Sequence, residues 1–193
     1  MAESQPPGLP FDGELYRNRL MVPLRYVIAI PHYIWWAVFR LFVTIVAPIN
    51  WILTVILGRP PDVLQEFLGG YIKYRTQLVA YLTLMADGYP GFAAVLRYPV
   101  EATVPEAPEW NRLLALFRPI ILIPAYIGVV LVTWVLIGFT VIAIVASLIL
   151  GMMPIRLQFL GLTLLRFVNE TAAYSFMLTS TYPSLTPRNG ASW

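Results

Sequence analysis

A chain of 193 residues in which 59% of side chains are hydrophobic and only 12% charged is not a soluble globular domain, where roughly 45–50% is apolar and about 25% charged. Its net charge of +3 comes from arginines dispersed beside apolar segments, with no basic stripe, which excludes nucleic-acid binding. The absence of cysteine excludes a disulfide framework, a thiolate metal site and a cysteine nucleophile.

Residues 1–16 read as a polar tail, acidic and proline-rich, without the basic region and apolar core of a signal peptide. The next segment mixes Arg17, Arg19 and Arg25 with apolar residues up to Pro31. These arginines do not share one helical face, so the segment reads as a headgroup-level anchor. His32 to Leu57 is the first expected span, long enough to cross with tilt. Tyr33, Trp35 and Trp36 at its start are expected interface anchors. Arg40 is expected to snorkel toward the same surface, and Pro48 to kink the span.

Gly58-Arg59-Pro60-Pro61 is a turn by composition. A second helix follows from Asp62 to about Ala86, with Asp62 and Glu66 favoured by the dipole of its first turns. Lys73 and Arg75 stand in its middle, and on insertion scales each costs roughly 2.5–3.5 kcal/mol at the bilayer centre. Either they face a partner or a wet crevice, or this helix lies at the interface. Residues 93–109, with Pro99, Pro105 and Pro108 among Glu101, Glu106 and Glu109, read as an ordered extramembrane linker.

The run from Pro119 to Ile155 carries no charged side chain. Its 37 residues would reach roughly 55 Å as a helix, against a hydrocarbon core of about 30 Å. Comparison with the first half divides it. Adding 93 to a residue number turns Asn18-Arg19-Leu20 into Asn111-Arg112-Leu113, Arg25 into Arg118, Ile30-Pro31 into Ile123-Pro124, Leu57-Gly58 into Leu150-Gly151 and Tyr89-Pro90 into Tyr182-Pro183. Fixed-period similarity without gaps signals duplication. The run is thus an interfacial approach up to Pro124, then a span ending at Gly151.

The expected fold is an all-α integral membrane protein of two tandem repeats, 17–92 and 110–185, each a long apolar helix plus a semi-polar helix, with polar tails at 1–16 and 186–193. If each repeat crosses twice the halves share one orientation; if once, they are inverted. Under two crossings Arg17, Arg19, Arg25, Arg97, Arg112, Arg118 and Arg188 lie on the terminal side, against Arg59 and Arg156 on the other. This positive-inside bias favours four spans, with both termini cytoplasmic in a multi-pass cell (inner) membrane protein.

The segments RYVIAIPHY (25–33), VILGRPPDVLQEFLGGYIKY (55–74) and LVAYLTLMADGYPGF (78–92) resemble the bacterial membrane family known as domain of unknown function 4389. That family has single-unit and two-unit forms, so the resemblance implies two tandem copies here. The second half departs from its pattern: Ala125 stands where the first has His32, and Met152-Met153 where it has Arg59-Pro60. The resemblance implies location and architecture, and no activity.

The only histidine, His32, has no carboxylate or cysteine cluster with which to hold a metal. Charged side chains at membrane depth are functional candidates by default. Arg25, Arg118, Lys73, Arg75, Arg166 and Glu170 are therefore candidates for a lipid-headgroup site or polar crevice, against the alternative that they cap carbonyls or pair with one another. Arg166 and Glu170, four apart, are placed to pair. Tyr81 and Tyr174 are expected as further interface anchors. No nucleophile elbow, phosphate loop or metal motif is present, so no catalytic residue, metal or cofactor is expected. The expected role is a non-catalytic scaffold or accessory subunit that packs against membrane lipids and other membrane-protein subunits, possible as a homo-oligomer. The alternative is an element that binds anionic lipid or transports a small solute.

Overall fold

A computed structural model describes residues 19–92, 98–100, 102 and 109–186. Arg17, Arg97 and Arg188, both tails but for Thr186, and most of the linker lie outside the described residues. Among the described residues there are six helices: α1 (Met21–Ile28), α2 (Ile30–Leu57), α3 (Asp62–Leu82), α4 (Arg112–Ile121), α5 (Ile123–Leu150) and α6 (Ile155–Ser175).

Local sequence sets the boundaries. Pro31 and Pro124 stand in the first turn of α2 and α5, where a missing N–H costs nothing. Gly58 and Gly151 end the same helices at φ +80° and +70°, a left-handed conformation that glycine adopts without penalty. The ends of α3 and α6 also match. Leu84 and Met177, 93 positions apart, both take φ near +60°, although a side chain there is disfavoured. Full burial of both side chains holds the turns. Pro48 lies inside α2, which continues unbroken through it.

Two helices, α2 and α5, are long and apolar enough to cross a membrane, which corrects the expectation of four. The reason lies in α3 and α6. Their polar groups are absorbed by packing: Thr76 and Gln77 of α3 and Gln158, Asn169, Glu170 and Thr171 of α6 are all buried.

Helices pack in the order α2 on α3, α3 on α6, and α6 on α5. The two middle helices are antiparallel. Gln158, near the start of α6, donates its side-chain amide to the Met85 carbonyl just past the end of α3. At the other end of α6, Leu68 and Ile72 of α3 share a core with Ala172 and Ala173. The common orientation of the halves expected from the arginine bias is therefore replaced by opposed orientations.

The ends interlock across the halves. Arg19, before α1, lies against Gly151 and donates to the Ile149 carbonyl at 3.1 Å. Arg112, its counterpart, lies against Gly58, whose carbonyl accepts from the Trp110 N–H at 2.7 Å. Between Phe92, stacked on His32 at the start of α2, and Trp110 at the end of α2, the chain passes from one end of the bundle to the other. Tyr98, Val100 and Ala102 are buried along that path against α3 and α6.

Candidate functional site

The two anchor arginines are buried within the protein. Arg25 is 3% exposed and Arg118 is 1% exposed. Each reaches the turn that follows the semi-polar helix of its own half. Arg25 donates to the Tyr81 carbonyl at 2.6 Å and pairs with Asp87 at 2.8 Å. Its guanidinium lies 4.9 Å from the centre of the Tyr81 ring. Arg118 donates to the Thr179 carbonyl and to Met177 Sδ. Its guanidinium stacks between Tyr174, at 3.4 Å, and Trp110, at 4.0 Å.

The second half replaces Asp87 by Ser180, so one half uses a carboxylate where the other uses two aromatic faces. Burial pulls the Arg118 guanidinium below the usual arginine range, with Tyr174 opposing the shift. Tyr81 and Tyr174, read as interface anchors, are instead the buried platforms under these guanidiniums. Each also meets a second tyrosine edge-on, Tyr89 and Tyr182 respectively.

Of the remaining candidates, Arg166 and Glu170 do pair, at 3.4 Å. Glu170 also accepts from the Ser184 N–H at 2.9 Å, and Arg166 reaches the Leu185 carbonyl, so the two hold the chain after α6 against that helix. Lys73 points outward and shares no site with Arg166. Tyr33 and Trp35 are exposed; Trp35 donates to the Phe92 carbonyl. Trp36 turns inward and donates to the Tyr71 hydroxyl at 3.3 Å.

Arg75 has a different setting. With Arg40 it lines an open cavity of about 660 Å³ bounded by all four long helices. Adjacent α3 and α6 form its floor, and α2 and α5 its sides. Arg40 extends over the Trp36 ring. Burial lowers the Arg75 pKa; Tyr71 opposes this shift and Arg40 adds to it. Among the described residues no acidic side chain lines it. The threonines there are spent on their own helices: Thr44, Thr133, Thr140 and Thr171 each donate to the carbonyl four residues back. The guanidiniums are thus the strong donors that face this space. Arg40 is expected from the sequence to snorkel toward the interface, and its side chain is indeed exposed. Its only signal was a lone charge in an apolar run, and nothing linked it to Arg75, 35 positions on.

Among the described residues no group of histidine and acidic side chains is placed to hold a metal. No curated protein and no solved structure matches this chain. Residues 19–94, which hold α1, α2 and α3, match the family model described as a domain of unknown function (DUF4389).

Proposed function

We propose that this protein is a non-catalytic scaffold or accessory subunit embedded in one leaflet of the cell membrane. Its two three-helix units are read as copies of one ancestral unit, related by a twofold axis perpendicular to the long helices. The observation that carries the reading is an exposed apolar surface concentrated on α1, α2, α4 and α5. Leu41, Ile45 and Ile52 of α2 and Leu131, Trp134 and Ile149 of α5 are among many large side chains turned outward. Leu24 and Val27 of α1 and Leu113 and Phe117 of α4 extend that surface. An exposed apolar area on this scale marks a lipid or protein contact.

Lying flat suits the chain better than crossing. Because α3 packs along α2 and α6 along α5, all four helices cross or none does. Crossing would also set Tyr98, Val100 and Ala102, which stand outside any helix, at membrane depth, where such backbone is tolerated only when protein covers it. Flat, a layer about 10 Å thick formed by α2 and α5 fits within a leaflet of about 15 Å. The layer of α3 and α6 then meets the headgroups. The twofold axis becomes the membrane normal, so both units meet the same environment. Both termini, and the arginines other than Arg40 and Arg75, are read on the cytoplasmic side, where anionic lipid attracts basic residues.

Single cysteines replacing Arg59, in the α2–α3 turn, and Arg156, in the first turn of α6, test this in a chain that has no other cysteine. These exposed positions lie at opposite ends of the bundle. An impermeant maleimide should label both from the same side of sealed vesicles. Labelling from opposite sides would rule out the flat arrangement. The scaffold role is tested by purification in mild detergent, where a stoichiometric membrane-protein partner is expected and a lone monomer would count against it.

A further inference from the structure

We infer that the cavity between the long helices is a binding site for an anionic phospholipid, with its phosphate between Arg40 and Arg75 and an acyl chain leaving along the apolar walls. The inference rests on the membrane-embedded reading, and it moves the lipid site away from Lys73 and Arg166.

Charge complementarity carries it. Two guanidiniums face one space, near enough that Arg40 disfavours the charge on Arg75, and among the described residues the lining contains no acid to neutralise them. Arg75 is partly buried and Arg40 exposed, so an anion between them relieves the repulsion of two like charges, and arginine forks match phosphate oxygens. The walls set the rest of the ligand. Val43, Val129, Leu136, Leu165 and Val168 give the site an apolar lining, and the volume lies within the range of about 300–1,000 Å³ found for ligand pockets. A free inorganic anion would leave these walls uncovered.

The opening fits a lipid already in the leaflet. The floor formed by α3 and α6 is the headgroup-side layer, and the side walls α2 and α5 are the submerged ones. A phospholipid entering between α2 and α5 meets Arg75 with its phosphate toward the headgroup level and its chains toward the hydrocarbon.

The test is native mass spectrometry of the full-length protein in mild detergent, titrated with phosphatidylglycerol or phosphatidylcholine. The expected result is one phosphatidylglycerol retained at least tenfold more tightly than phosphatidylcholine. Retention should be lost in Arg40→Gln/Arg75→Gln, kept in Arg75→Lys, and unchanged in Lys73→Gln. Millimolar inorganic phosphate should not displace the lipid. Equal retention of both lipids, or undiminished phosphatidylglycerol in the double glutamine variant, would overturn the inference; so would displacement by phosphate alone. Circular dichroism of each variant separates lost binding from lost fold. Because this measurement uses no bilayer, its failure is distinguishable from failure of the labelling experiment.

Discussion

The Gln158 side-chain amide donates to the Met85 carbonyl across 73 positions of sequence, and this bond ties the beginning of one semi-polar helix to the end of the other. Both residues are buried, so no water replaces the bond when it is lost. Gln158→Leu leaves the Met85 carbonyl without this donor, at a cost of about 1–3 kcal/mol. Gln65→Leu at the matching position of the first half, where the side chain is half-buried, is expected to cost less. Thermal unfolding in detergent measures both, and a Gln65 effect as large as that of Gln158 would mean that this contact is not special.

Arg118 depends on the shape of its guanidinium as well as its charge. Lysine keeps the charge but cannot stack flat between Tyr174 and Trp110 while reaching the Thr179 carbonyl. Arg118→Lys is therefore expected to lower stability by about 1–3 kcal/mol, whereas Arg19→Lys, at an exposed site, stays within about 0.5 kcal/mol. Near-ultraviolet circular dichroism should lose the Trp110 contribution in Arg118→Lys; an unchanged spectrum and midpoint would contradict the stacked geometry.

Two glycines in the semi-polar helices are expected to respond in opposite directions to the same change. A Cβ on Gly161 would come within 2.6 Å of Phe139 and 2.9 Å of Met85, so Gly161→Ala forces α5 and α6 apart and costs about 1–3 kcal/mol. A Cβ on Gly70 meets nothing within 4 Å, and Gly70→Ala gains roughly 0.5–1 kcal/mol from helix propensity alone. Denaturation midpoints of the two variants on either side of the parent check both the packing and the helical assignment.

The helix ends were legible because their causes are local: Pro31 and Pro124 start α2 and α5, and Gly58 and Gly151 stop them. The Arg166–Glu170 pair was legible for the same reason, being a matter of spacing along one helix. The orientation of the halves was not. A register of 93 aligns Arg25 with Arg118 and Leu84 with Met177, but it carries the same letters whether the units run parallel or opposed. The arginine count favoured a common orientation because it assumed crossing helices. The fates of Arg25, Tyr81 and Tyr174 were hidden for a related reason. Arginine near tyrosine reads as an interface in a hydrophobic sequence, and only the fold after Leu82 reveals a buried carbonyl turn for the guanidinium to fill. Arg40 and Arg75 meet across a helical hairpin, which composition does not encode.

The crossed contacts at the ends also bear on how such a molecule is assembled. Gly58 is covered by Arg112 and Gly151 by Arg19, so neither hairpin turn is finished by residues of its own half. A protein made of α1, α2 and α3 alone would leave the Gly58 turn bare and the inner face of α3 without α6. An identical chain related by a twofold axis would complete a lone unit, each lending the other the arginine that here arrives through the linker.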